Sequence, residues 1–149
     1  MSTANESGVV AAVQREHREI EQLLDEVESS TGPSRRAAFD RLVDKMQAHE
    51  TAEEQVVHPL AKDEGNSRTV AALLEEEQSA SHALEQLEGM DPDSDEFIEG
   101  FRQLKRDVLA HAQQEEREEH PQLIEDTPPD ELERRADLFA RAERNAAGH

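Results

Sequence analysis

Apolar residues recur along this chain at the three-and-four spacing of helices buried along one face, and no stretch alternates as a half-exposed strand would. Val9, Val10, Val13, Ile20, Leu23, Leu24 and Val27 predict a first helix from about Val9 to Ser29. Ser30-Thr31-Gly32-Pro33-Ser34 breaks it, with Ser34 placed to cap the next helix. That second helix runs from Arg35 to about Asp63 on Phe39, Leu42, Val43, Met46, Val56, Val57 and Leu60, and ends in the turn Gly65-Asn66-Ser67. A third covers roughly Arg68 to Gly89 through Val70, Leu73, Leu74, Leu84 and Leu87. After Asp91-Pro92-Asp93-Ser94, a turn with a cap, a fourth extends from Asp95 to about Asp126. Thr127-Pro128-Pro129-Asp130 then opens a short amphipathic helix carrying Leu132, Ala136, Phe139 and Ala142, expected to pack outside the others.

Four long helices joined by short turns predict an all-α, up-down-up-down four-helix bundle. The expected division is a flexible N-terminus over 1–8, the bundle over 9–126, and a short helix and tail over 127–149. The bundle also repeats internally. His49-Glu-Thr-Ala-Glu53-Glu54-Gln-Val-Val-His58-Pro59 in the second helix matches His111-Ala-Gln-Gln-Glu115-Glu116-Arg-Glu-Glu-His120-Pro121 in the fourth. The first and third helices superpose as well, Val10 on Val70, Val13 on Leu73, Leu24 on Leu84 and Val27 on Leu87. The chain is two copies of one αα-hairpin.

Composition narrows the chemistry. The 149 residues suit one domain with a real core. With 36 acidic and 16 basic residues the formal net charge is -20, which repels phosphate backbones and anionic lipid. Nucleic acid and membrane surfaces are therefore not expected as partners. Cysteine is absent, which removes disulfides, thiolate ligands and cysteine nucleophiles. The start, Met1 to Gly8, has no basic and apolar signal-peptide pattern, and no run approaches a membrane span, so a cytoplasmic protein is expected. No Gly-rich run opens a helix to hold phosphate.

Against this background a few polar residues stand out by phase. His and Glu four apart share a helical face and can reach one metal ion. Stepping about 100° per residue, His49 and Glu53 fall inside the apolar stripe of Leu42, Met46, Val56 and Leu60. His111 and Glu115 fall likewise inside that of Phe97, Phe101, Leu104 and Val108, and His17 lies at the edge of the first helix's stripe. Burying carboxylates is costly unless each is paired or coordinated, and a metal meets that cost. The competing reading is a metal-free network of His–Glu hydrogen bonds. Mixed imidazole and carboxylate ligands suit iron or manganese, whereas zinc wants fewer ligands in a tetrahedron. Glu53 and Glu115 form the natural bridging pair, with His17, His49 and His111 as terminal ligands.

His17 in Glu-His-Arg-Glu-Ile, His49-x3-Glu53-Glu54 ending in Pro59, and His111-x3-Glu115-Glu116-x-Glu118 ending in Pro121 resemble the hemerythrin-like HHE cation-binding domain over about residues 9 to 126. The resemblance implies a pair of iron ions with an oxo or hydroxo bridge, and handling of dioxygen, peroxide, nitric oxide or iron itself. Two positions depart from the family pattern. The family supplies a third-helix histidine, but His82 lies about 140° from the position matching His17; the repeat register puts Glu77 there, so Glu77 is the expected ligand and His82 a surface residue. The residue before each proline, often aromatic in the family, is His58 or His120 here. By phase both point outward, about 40° from Glu54 and Glu116, as solvated His–Glu pairs, with the alternative that each proline disturbs the helix behind it and turns the ring inward. Glu118 would point toward the metals beyond Glu115, as part of a solvated mouth or as a proton relay rather than as a ligand.

An extra carboxylate at Glu77 favours ferric over ferrous iron, which moves peroxide decomposition or redox and iron sensing ahead of reversible oxygen carriage. The alternatives are a non-catalytic iron-binding or sensor module and a metal-free acidic helical bundle.

Overall fold

The computed structural model describes residues 8–63, 65 and 67–147. The expected flexible N-terminus lies outside them except for Gly8, as do Asn66 of the turn and the last two residues. No strand occurs among the described residues. Five helices succeed one another: α1, Gly8–Ser29; α2, built from Gly32–Ala52, Glu53–Val57 and His58–Asp63; α3, Ser67–Glu88; α4, built from Asp95–Gln114, Glu115–Glu119 and His120–Asp126; and α5, Pro129–Ala147. The first four form the up-down-up-down bundle.

Local chemistry sets the ends. Helix α2 begins at Gly32 rather than Arg35, with Thr31 as N-cap and Pro33 in the first turn, so Ser34 lies inside the helix. Proline is tolerated there because its missing N–H would have had no intrahelical partner. Gly32 takes the left-handed region, φ +57°, and its N–H donates to Asp93 Oδ1 at 2.8 Å. Ser94 caps α4 as expected, its Oγ accepting from Phe97 N–H at 3.1 Å. Arg35 ties this end together, donating from its guanidinium to the carbonyls of Val27, Glu28 and Pro92.

Helix α5 is longer than its short expected form, at 19 residues. It packs on α1 and α2 outside the bundle, burying Leu132, Phe139 and Ala142. Gly8 permits the approach: a Cβ there would sit 3.0 Å from Leu132 Cβ.

Two apolar clusters fill the interior. One joins Leu24, Phe39, Leu42, Leu84, Phe97 and Leu104; the other joins Val9, Val13, Val57, Val70, Leu123 and Phe139. Between them lies a buried polar layer of His17, His49, Glu53, His58, Glu77, Glu115, Glu119 and His120. The two clusters close it off from water at both ends of the bundle.

The departure that matters is in α2 and α4. Each breaks its α-helical ladder at the repeated motif and makes one π-helical turn, Glu53–Val57 and Glu115–Glu119. The N–H of His58 bonds to the carbonyl of Glu53 and that of His120 to the carbonyl of Glu115, five residues back instead of four. Pro59 and Pro121 come directly after. A proline has no N–H to give and its ring crowds the carbonyl four residues earlier, and widening the turn relieves that clash.

Candidate metal centre

Each helix of the bundle delivers ligand atoms to the polar layer. His17 comes from α1, His49 and Glu53 from α2, Glu77 from α3, and His111 and Glu115 from α4. All six converge. His17 Nε2 lies 2.9 Å from Glu115 Oε1, and His49 Nε2 lies 2.9 Å from Glu53 Oε1. His111 Nε2 is 3.2 Å from Glu115 Oε2 and 3.4 Å from Glu77 Oε2. Glu77 is 2 % exposed, whereas His82, the other candidate on α3, is on the surface.

The outward phase read for His58 and His120 is wrong. Both are buried, at 2 % and 1 % exposure. An extra residue per turn rotates everything beyond it by about 100°, so His58 sits over Glu53 and His120 over Glu115 on the same helical face. His58 Nε2 lies 2.8 Å from Glu77 Oε2 and 3.8 Å from Glu115 Oε2. The same rotation exchanges the roles of the two neighbouring glutamates. Glu118 is exposed, and Glu119 is fully buried with Oε2 2.7 Å from His58 Nδ1. The readable signal was the doubled five-residue interval from Glu53 to His58 and from Glu115 to His120, each followed by proline.

Two of the groups that the ligand-capable atoms form overlap. His17, His49, Glu53 and Glu115 place one atom each within 4.8 Å of one another, and so do Glu53, His58, Glu77 and Glu115. Glu53 and Glu115 belong to both. His120 forms a third group with Glu53 and Glu119, and its ring stacks 6.1 Å from that of His17.

An outer layer fixes the imidazoles. Nδ1 of His17 meets Glu116 at 2.7 Å, that of His49 meets Glu16 at 2.7 Å, and that of His111 meets Glu76 at 2.8 Å. Glu119 does the same for His58, and the Gln14 side-chain amide lies 3.2 Å from Nδ1 of His120. A partner on Nδ1 sets the tautomer and leaves Nε2 free to ligate, the arrangement found behind metal-bound histidines. In the sequence Glu116 reads only as a solvated partner of His120, and Gln14, Glu16 and Glu76 do not stand out, because acidic residues on outer faces are too common here to be distinctive.

Charge is concentrated accordingly. Burial disfavours the imidazolium of His17, but the Glu115 and Glu116 carboxylates beside its two nitrogens outweigh it and push its pKa up to about 9. The same contest, settled by carboxylate partners, puts His58 at about 11 and His111 at about 12. Burial and the nearby Glu115 carboxylate raise Glu53 to about 7, against the pull of His49. Burial also disfavours the Glu115 carboxylate, yet His111 and His17 hold it well below the usual range. His120, without a carboxylate on Nδ1, is pushed down to about 4 by burial.

Whether a metal fits is decided by the atoms left over. His17, His49, His111 and His120 Nε2, both oxygens of Glu53 and of Glu115, and Glu77 Oε1 are buried without a hydrogen bond of acceptable geometry, although several stand about 3 Å from one another. Buried polar atoms are nearly always satisfied, and an unpaired one costs about 1–3 kcal/mol. So many orphans brought together match the lone pairs that a bound metal would take.

Comparison with known proteins agrees. The family described as Hemerythrin HHE cation binding domain matches residues 6–123. The fold superposes with a TM-score of 0.86 on a crystal structure of a Hemerythrin HHE cation binding domain-containing protein from Mycobacterium kansasii, at 19% identity, covering 95% of this chain and 88% of that one. A protein named DNA nickase from Nostoc sp. (strain PCC 7120) is 26% identical over 116 residues, which are 77% of this chain but 33% of the nickase, so the chain spans about a third of that relative's length. This chain belongs to the hemerythrin HHE cation-binding domain family.

Proposed function

We propose that the chain binds two iron ions bridged by Glu53 and Glu115, and uses them on a small oxygen ligand, hydrogen peroxide ahead of dioxygen. The observation that carries this reading is the double membership of Glu53 and Glu115 in two clusters of buried, unpaired ligand atoms. His17 and His49, with His120 close by, would serve one ion; His58, His111 and Glu77 would serve the other. Iron supplies a change of oxidation state and a coordination position for the small ligand.

The protein's part comes from the geometry. Glu16, Glu76, Glu116 and Glu119 hold the rings of His49, His111, His17 and His58 through Nδ1. The apolar clusters on either side keep bulk water out and strengthen every charge interaction within. Glu77 adds a negative charge, which favours the ferric state and argues for peroxide turnover or redox sensing over oxygen carriage.

The test is aerobic loading with ferrous iron, then measurement of oxygen released from hydrogen peroxide. Oxygen evolution well above that of free iron supports the reading, and none above it removes the enzymatic part. A near-ultraviolet absorption that shifts with azide or peroxide marks a ligand-accessible pair. An iron site indifferent to both would point to a sensor or iron-binding module. One observation favours the sensor: α5 rests Phe139 on the His49 ring at 5.9 Å, linking an outer helix to the centre. Action on DNA, as in the nickase's name, is disfavoured here, since a net charge of -20 opposes binding to a phosphate backbone.

A further inference from the structure

We propose that the cleft between α2, α3 and α4 is the path by which a small uncharged solute reaches the centre, with Met46 and Glu50 as its inner wall. The destination rests on the di-iron reading above; the path does not. A cavity of about 250 Å³ opens to solvent beside the exposed residues Ser79, Asp107 and Ala110. It reaches inward to the buried Leu104, Val108 and Glu77. A second void of about 20 Å³ lies behind it, against His17, His49 and Glu53. That volume holds roughly one water-sized molecule. Met46, Glu50, Val108 and His111 border both spaces, so one wall of side chains separates the outer cleft from the void at His17, His49 and Glu53.

The cleft exists because α3 changes character along its length. Leu73 fills the bundle on one side of it and Leu84 and Leu87 on the other, but between Glu77 and Leu84 the half-buried residues lining this space are Ala80 and Ala83. Small side chains leave room that neighbouring helices do not refill. Glu77 joins the two: it is 2 % exposed, lines the cavity, and belongs to a ligand group, with its Oε1 left without a hydrogen-bond partner.

The lining also selects. Met46, Leu104 and Val108 give apolar walls, Glu50, Glu76 and Asp107 supply carboxyl groups, and no lysine or arginine borders the space. A cleft of that kind, on a chain of net charge -20, disfavours anions and admits compact neutral molecules such as dioxygen and hydrogen peroxide.

The path is tested first without metal. Dissolved dioxygen, a neutral paramagnetic probe, should speed relaxation of the Met46 and Val108 methyl groups severalfold more than that of Leu42 and Val43, which are closely matched to them in burial and do not line the cleft. Ala80→Phe and, separately, Ala83→Phe should abolish the difference, whereas Ala71→Phe, exposed on the same helix, should leave it intact. Uniform relaxation of all buried methyls, or an unchanged pattern in both plugged variants, overturns the proposal whatever the protein does with iron. In the iron-loaded protein the plugged variants should keep their metal content and react with peroxide at least tenfold more slowly, and azide binding, unlike peroxide reaction, should quicken as added salt screens repulsion. Wild-type peroxide rates in plugged variants that still carry iron overturn it too, while leaving the metal reading in place.

Discussion

The backbone N–H of His58 bonds to the carbonyl of Glu53, five residues back, and this one bond carries the imidazole onto the face that bears the carboxylate. His120 and Glu115 repeat the relation in the other half of the molecule. The π-turn is therefore a way of placing three ligands on one helix at intervals of four and five, His49, Glu53 and His58, where a regular α-helix would turn the third away.

His58→Ala should lower iron affinity at least tenfold and leave the protein with fewer than two ions per chain, because it removes an imidazole that lies 2.8 Å from Glu77. His82→Ala, on the surface of α3, should leave iron content unchanged. Equal iron in the two variants, measured by elemental analysis, would show that the inward turn of His58 has no part in binding.

The outer carboxylates are expected to matter almost as much as the ligands. Glu16→Gln and Glu119→Gln each remove a charged partner from Nδ1 of an inward-facing histidine. Outer-layer changes of this kind cost about 10–100-fold in metal affinity. Competition with a chelator of known strength reads the loss, and wild-type affinity in both variants would contradict the arrangement.

Much of this molecule could be read before any coordinates. Helical spacing of apolar residues located all five helices, and the sixty-residue offset between the repeats put Glu77, not His82, on the inward face of α3. His49, Glu53, His111 and Glu115 stood in phase with large apolar neighbours, which is why they were visible. His58, His120 and Glu119 were not, because a constant step of about 100° per residue was carried across a turn that the prolines widen. A local backbone change of one residue rotates everything after it by about 100° until the helix ends. The outer-layer residues Glu16 and Glu76 depend on contacts between helices, and no single-helix pattern reports those.

The metal-free protein should lose stability as pH rises. His17, His58 and His111 have native pKa values of about 9, 11 and 12, all above the ordinary 6.5. A group whose pKa is raised by folding contributes stability that is complete below its unfolded pKa and lost as pH passes through the folded one. Glu53, raised to about 7, acts in the same direction. The melting temperature of chelator-treated protein should therefore fall between pH 6 and pH 9. In the loaded protein metal replaces these protons, so the fall should be smaller and metal uptake should release acid. A melting temperature flat or rising over that range in the metal-free protein would contradict the assignment.

Phe139→Ala should destabilise the chain by about 3–5 kcal/mol, the usual cost of emptying a buried phenylalanine site. Phe139 is 1 % exposed and holds α5 to the cluster that closes one side of the polar layer. Its ring also lies against that of His49 at 5.9 Å, so a loosened α5 should be accompanied by weaker iron retention. Denaturant unfolding measures the first effect and iron release to a chelator the second; a loss under 1 kcal/mol would show that α5 is dispensable.

The most direct measurement is the number of metal ions per chain. Protein loaded with ferrous iron in air and freed of excess should carry two irons, and Glu53→Ala and Glu115→Ala should each fall below that, because each carboxylate belongs to both ligand groups. A wild-type chain that retains one ion, or none, would contradict the bridged pair on which the functional reading depends.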